Sequence, residues 1–132
     1  MNDRSPPPPV ILVVDDEALL RLHAADLLSD AGYQVVEAYD AESALKILEE
    51  RRDVRLLFTD IQMPGECDGM KLAAKVHERW PNVLLIVTSG RLNIADKDVP
   101  DHGCFVAKPY PDRVLINQVT TLIADQEARA QG

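Results

Sequence analysis

Asp15, Asp16, Asp60, Thr88 and Lys108 each stand where an apolar run gives out. VILVV runs into Asp15-Asp16, LLF into Thr59-Asp60, VLLIV into Thr88-Ser89, and CFVA into Lys108-Pro109. Three carboxylates brought together cannot all stay ionised unless positive charge sits among them. A small, hard Mg²⁺ ion suits that need, because it takes a few carboxylates and leaves positions for water and phosphate oxygens. Lys108 adds a mobile point charge suited to a phosphate oxygen, and Thr88 adds a hydroxyl donor. Such a set neutralises charge around a phosphoryl group in transfer, while one carboxylate acts as nucleophile to give an acyl phosphate.

These residues can meet only if the elements before them are parallel strands of one sheet. VILVV and VLLIV are apolar at every position instead of alternating, as parallel strands are when helices cover both faces. Between them lie helical patterns. Leu20, Ala24, Leu27 and Ala31 recur at helical spacing, and Gly32 supplies a left-handed stop before a strand at Gln34–Ala38. Asp40 is placed to cap a second helix with Ala41, Ala44, Leu45 and Leu48 inward, followed by a strand at Val54–Thr59. A third helix is expected from Gly69 to Trp80, with Leu72, Ala73, Val76 and Trp80 on one side and Pro81 ending it. Strands follow at Val83–Thr88 and Cys104–Ala107, and Pro111-Asp112 open a last helix with Leu115, Val119, Leu122 and Ile123 inward.

Residues 91–103, RLNIADKDVPDHG, carry Pro100 and only Ile94 and Val99 as main apolar candidates, so a short or irregular fourth helix is expected. With so little apolar surface to bury, Leu92 to His102 should open readily and become ordered on activation. The alternation implies a flavodoxin-like (βα)5 doubly wound parallel sheet of order 2-1-3-4-5. In that order the first and third strands are neighbours at the point where the winding reverses, and Asp15, Asp16 and Asp60 converge beyond their carboxyl ends. Residues 1–9 read as a disordered proline-rich lead-in, 10–124 as the folded domain and 125–132 as a polar tail.

The 132 residues amount to one domain, with 22 acidic and 14 basic side chains and a net charge of -8. That charge disfavours direct nucleic-acid binding and anionic lipid surfaces. MNDRSPPPP lacks the apolar centre of a secretory signal and no later run reaches membrane-spanning length, so a cytoplasmic location is expected. Cys67 and Cys104 form no C-x-x-C pair and read as free thiols, Cys104 as a small buried hydrophobe. His23, His77 and His102 lack metal-ligand spacing, and Trp80 reads as helix-end packing.

Each signature alone has a plainer reading: Asp15, Asp16 and Glu17 as helix-start residues, Met63-Pro64-Gly65 as a turn, Lys108 as a solvated strand end. Their joint occurrence, one per strand end, is specific. VILVVDDE, FTDIQMPGECDGM, VTSG and FVAKPY closely resemble the receiver domain of two-component response regulators, of the CheY-like kind, over Val10 to about Ile123. The resemblance implies that Asp60 accepts a phosphoryl group from a sensor histidine kinase. It implies that Asp15, Asp16, Asp60 and the backbone carbonyl of Gln62 hold Mg²⁺. Thr88 and Lys108 would grip the phosphoryl oxygens, Phe105 would move with Thr88, and Lys108-Pro109 would be cis. Two features depart from the common pattern: a loop one residue longer between Asp60 and Gly69, and the Pro-containing segment after Gly90. TSGR followed by that segment and KPY looks like stand-alone receivers served by HWE-type sensor kinases.

The reading that follows is a phosphorelay switch with a downstream protein partner, monomeric or weakly dimeric, and catalytic only in its own phosphorylation and dephosphorylation. A Mg²⁺-dependent aspartyl-phosphate phosphatase is the enzymatic alternative, but it usually has an acid two residues past the nucleophile, where this chain has Gln62. A phosphorylation-independent pseudo-receiver should lack one of the acids, the threonine or the lysine, and none is missing. Flavin binding would want a Ser/Thr-rich phosphate loop after the first strand, and none is there.

Overall fold

A computed structural model describes residues 7–63, 68–90, 99 and 103–131. Five strands, β1 (Val10–Val14), β2 (Gln34–Ala38), β3 (Val54–Asp60), β4 (Leu84–Ser89) and β5 (Cys104–Ala107), form one sheet. The helices are α1 (Ala18–Asp30), α2 (Ala41–Glu50), α3 (Gly69–Arg79) and α4 (Asp112–Gln131). All strand pairs are parallel and the order is β2-β1-β3-β4-β5, as expected.

Successive side chains of a strand leave opposite faces of the sheet, which explains why β1 is apolar throughout. Val10, Leu12 and Val14 pack with Ala41, Ala44 and Leu48 of α2 and Leu72, Ala73 and Val76 of α3. Ile11 and Val13 pack on the other side with Ala24 and Leu28 of α1 and Leu115, Val119 and Ile123 of α4. Each face of β1 therefore removes apolar area from water, at roughly 25 cal/mol per Å² buried. Asp40 caps α2 by accepting from the Ser43 amide at 2.7 Å, and Asp68 caps α3 by accepting from the Lys71 amide at 2.9 Å. Gly32 takes φ of 103° and, with Tyr33, donates to the last carbonyls of α1, the left-handed stop expected there.

Three expectations need correction. α1 buries Ala24, Ala25 and Leu28, with Leu27 partly covered, while Leu20 and Ala31 are exposed. Its leucines are spread around the helix, so apolar spacing left the phase open, and the small Ala24 and Ala25 let this face approach the sheet. α4 continues to Gln131 through residues expected as a polar tail. Gln126 explains part of that extension, since it accepts from Arg55 and donates to the Asn82 carbonyl at 2.7 Å. Cys104 is only partly buried.

Trp80 stands at the end of α3 and packs against the core, as expected. His23 lies on the surface, where its Nε2 meets Asp112 Oδ1 at 3.0 Å. The expected irregular fourth helix and its ordering on activation lie outside the described residues apart from Val99 and Gly103, as do Cys67 and His102. Val99 is buried in the core, and a Cβ on Gly103 would stand 2.5 Å from its Cγ1. No helix among the described residues is long and apolar enough to cross a membrane.

Candidate functional site

Parallel register delivers the expected residues to one edge. Val14 pairs with Thr59, Asp60 with Thr88, and Thr88 with Val106, so Asp15, Asp60, Thr88 and Lys108 emerge side by side. Carboxylate oxygens of Asp15, Asp16 and Asp60 lie within 4.8 Å of one another. The helix-start reading of the acidic run fails here: Glu17 occupies the N-cap of α1 and makes no side-chain cap hydrogen bond. Asp15 instead turns back, its Oδ1 accepting from the Glu17 amide at 2.9 Å while its Oδ2 faces Lys108.

Asp15 and Asp60 are buried, at 6% and 4% exposure, and Asp16 is exposed. Lys108 Nζ lies 3.2 Å from Asp60 Oδ2 and 3.6 Å from Asp15 Oδ2. Asp60 Oδ1 accepts from the Gln62 amide at 3.2 Å. Burial pushes the Asp60 carboxyl above its ordinary range, against the charge and hydrogen bond of Lys108; the Asp15 charge raises it further and the Gln62 amide lowers it. One ammonium thus stands among three carboxylates. That deficit of positive charge, with an open side at Asp16, is what a divalent cation resolves. The donor set fits such an ion.

Four supporting residues were not legible as functional. Arg21 donates from Nη1 to the Asp15 carbonyl at 2.9 Å and from Nε to Glu37 at 3.1 Å, holding the β1 end against β2. Its position one turn after Glu17 was the available signal. Gly69 presses against the peptide of Asp60: a Cβ there would stand 2.1 Å from the Asp60 carbonyl oxygen. Its amide donates to the Ile61 carbonyl at 2.9 Å. Ser89 exchanges hydrogen bonds with the Gln62 side chain at 2.7 and 2.9 Å, tying the loop after β3 to the end of β4. Tyr110 packs edge-on against Phe58, and burial, followed by the charges of Asp15, Asp112 and Asp60, pushes its hydroxyl up to about 12.

Thr88 is buried, and its hydroxyl donates to the Val106 carbonyl at 2.7 Å. Phe105 is partly buried against the core beside it. Lys108-Pro109 is cis, and the Lys108 amide donates to the Ser89 carbonyl at 2.9 Å. The arrangement is an acidic cluster positioned for metal-assisted phosphotransfer, with a lysine poised above it.

Comparison with known proteins agrees with this chemistry. The family model described as "Response regulator receiver domain" matches residues 11–120. The nitrogen assimilation regulatory protein NtrX of Azorhizobium caulinodans is 38% identical over 107 residues, covering 77% of this chain and 23% of that protein. The CAI-1 autoinducer sensor kinase/phosphatase CqsS of Vibrio cholerae is 31% identical over 114 residues, 83% of this chain and 16% of its own length. The chain therefore spans less than a quarter of either relative. A response regulator receiver protein from Sinorhizobium medicae superposes with a TM-score of 0.82 at 29% identity, covering 90% of this chain and 97% of that one. With its strand order, its acidic cluster and this match over most of its length, the chain belongs to the CheY-like family of response regulator receiver domains.

Proposed function

We propose that Asp60 is the phosphoacceptor and that the chain acts as a phosphorelay switch. An Asp60 carboxylate oxygen attacks the phosphorus of a phosphohistidine on a sensor histidine kinase. The O–P bond forms as the N–P bond breaks, and the imidazole leaves with the bonding electron pair. Asp60 is the one acid of the cluster that is both a strand-end residue inside the sheet and in contact with Lys108 and the Gln62 amide. That placement carries the proposal. Lys108 moves from the carboxylates to a phosphoryl oxygen as negative charge is transferred. Asp15, Asp16, Asp60 and the backbone carbonyl of Gln62 would hold Mg²⁺, which when bound neutralises charge on the transferred group.

The Thr88 hydroxyl is engaged with Val106 rather than with the acids, so its release toward the phosphoryl group is the switching step, and Phe105 follows into the space it leaves. The output is altered binding of a downstream protein. Catalysis is confined to phosphorylation and dephosphorylation of the chain itself. We place it in the cytoplasm, monomeric or weakly dimeric, with a sensor kinase of the HWE type as donor.

Incubation with acetyl phosphate and Mg²⁺, followed by intact-mass measurement, tests the assignment. Wild type should gain one phosphoryl group and Asp60→Asn none; Lys108→Ala should retain metal but respond poorly to phosphorylation. Equal labelling of wild type and Asp60→Asn would refute it.

A further inference from the structure

At the end of the sheet opposite Asp60, where β3 and β4 begin, lies an open crevice of about 1070 Å³ lined by Arg52, Arg55, Arg79 and Arg129. The seven residues of β3 put it roughly 20 Å from the acidic cluster at ~3.3 Å per residue. Four of the 14 basic residues of a chain with net charge -8 gather here. Glu127 is the one carboxylate in the lining, and Glu49 pairs with Arg79 at 2.8 Å from outside it.

Helix dipoles account for Arg79 and Arg129, which lie in the last turns of α3 and α4. The dipole of α2 accounts in the same way for Arg52, which follows the Arg51 C-cap, but no helix end accounts for Arg55 within β3. Arg55 is half-buried, and its Nε and Nη2 both donate to Gln126 Oε1, at 2.9 and 2.7 Å. Gln126 is fixed in turn by donating to the Asn82 carbonyl. A neutral amide orients a guanidinium without cancelling its charge. Among the described residues no carboxylate pairs with Arg55 or Arg52. Arg55, oriented with its Nη1 left over, and the exposed Arg52 beside it put two guanidinium groups with no carboxylate partner where phosphate oxygens can accept from them.

Beside them the Arg79 guanidinium lies 4.4 Å from the centre of the Trp80 ring, a flat cationic and aromatic surface in the same lining. Such a surface stacks on planar bases. We propose that this crevice binds an anionic nucleotide, its phosphates on Arg52 and Arg55 and its base on the Arg79–Trp80 stack. The site is separate from the phosphoacceptor and gives the chain a second input of different chemistry.

Trp80 is the sole tryptophan, so its emission reports on the crevice directly. The full chain is titrated with ADP, pyrophosphate or a glutamate-rich peptide in EDTA, which prevents the acidic cluster from recruiting phosphate through a metal. Excitation is set beyond the adenine band. ADP should quench Trp80 saturably below millimolar concentration, with pyrophosphate about tenfold weaker for want of a base to stack. Arg52→Gln and Arg55→Gln should each weaken ADP about tenfold. Arg52 is exposed, so its replacement leaves the core intact, and circular dichroism checks the fold of both variants. Asp60→Asn should bind ADP as wild type does. Emission unmoved by millimolar ADP would overturn the proposal, as would ADP affinity unchanged in both folded arginine variants. Equal binding of pyrophosphate would overturn the nucleotide assignment in favour of a bare polyanion, and tighter binding of the peptide would overturn it in favour of an acidic protein segment.

Discussion

Gly69→Ala should damage stability and phosphorylation together, although the residue carries no chemistry. A Cβ at this position would stand 2.1 Å from the Asp60 carbonyl oxygen, 2.7 Å from the Ile61 Cα and 2.8 Å from the Asp60 carbonyl carbon. All three are backbone atoms, so no flexible side chain can yield. Relief requires the start of α3 to move away from the end of β3 by about an ångström. Overpacking of this kind costs about 1–3 kcal/mol. The shift also breaks the hydrogen bond from the Gly69 amide to the Ile61 carbonyl, worth roughly 0.5–1.5 kcal/mol. A loss near 3 kcal/mol is expected. For 132 residues at about 2.1 cal/mol/K each, the unfolding entropy is about 0.28 kcal/mol/K, so the melting temperature should fall by roughly 10 °C. Because the atoms displaced belong to Asp60 itself, phosphorylation by acetyl phosphate should slow even at temperatures where the variant is folded. Gly32→Ala is the control: it has open space around a Cβ but a φ of 103°, so it should lose about 1 kcal/mol through backbone strain and keep full phosphorylation. Thermal melts and a labelling time course read both. A Gly69→Ala protein that melts within about 2 °C of wild type and labels normally would refute the close-approach argument.

Three further outcomes follow from the geometry. Without metal, Asp60→Asn should be more stable than wild type at neutral pH. The folded protein holds the Asp60 proton to higher pH than the unfolded chain does, so stability rises as pH falls through the folded value, and the gap between variant and wild type should close in acid; urea melts across pH that kept a constant gap would contradict this. Mg²⁺ should stabilise the fold by mass action, by as much as about 2.7 kcal/mol at a hundredfold excess over its dissociation constant, and so raise the melting temperature, and Asp16→Asn should blunt the response; indifference to Mg²⁺ at fixed ionic strength would mean the carboxylates do not share an ion. Leu28→Ala, at a fully buried position of α1, should cost about 2–5 kcal/mol, whereas Leu19→Ala, at 83% exposure, should change stability by about 0.5 kcal/mol or less; equal costs would mean that α1 faces the sheet differently.

The sequence by itself determined the sheet and the identity of the acids. Strands such as VILVV, apolar at consecutive positions, have two faces to bury and so require helices on both sides. That requirement, with right-handed crossovers, leaves few ways to order five parallel strands. Asp15, Asp16, Asp60, Thr88 and Lys108 could be picked out because a polar residue ending an apolar strand is a local event, and its recurrence at four strand ends is what made the set specific. The phase of α1 was not local. Its leucines point several ways, and packing of Ala24, Ala25 and Leu28 on the sheet decided which of them face water. Nor could spacing show that the Thr88 hydroxyl is turned to Val106, since a threonine's rotamer is set by the neighbouring strand that offers it an acceptor. Gly69 and Asp60 lie on different elements, so the need for a missing side chain exists only once α3 is laid against the end of β3. Part of the length of α4 is explained by Gln126 finding Arg55 and Asn82, partners 71 and 44 residues away in the chain. Contacts between residues so far apart carry no periodicity, and only the folded chain brings them together.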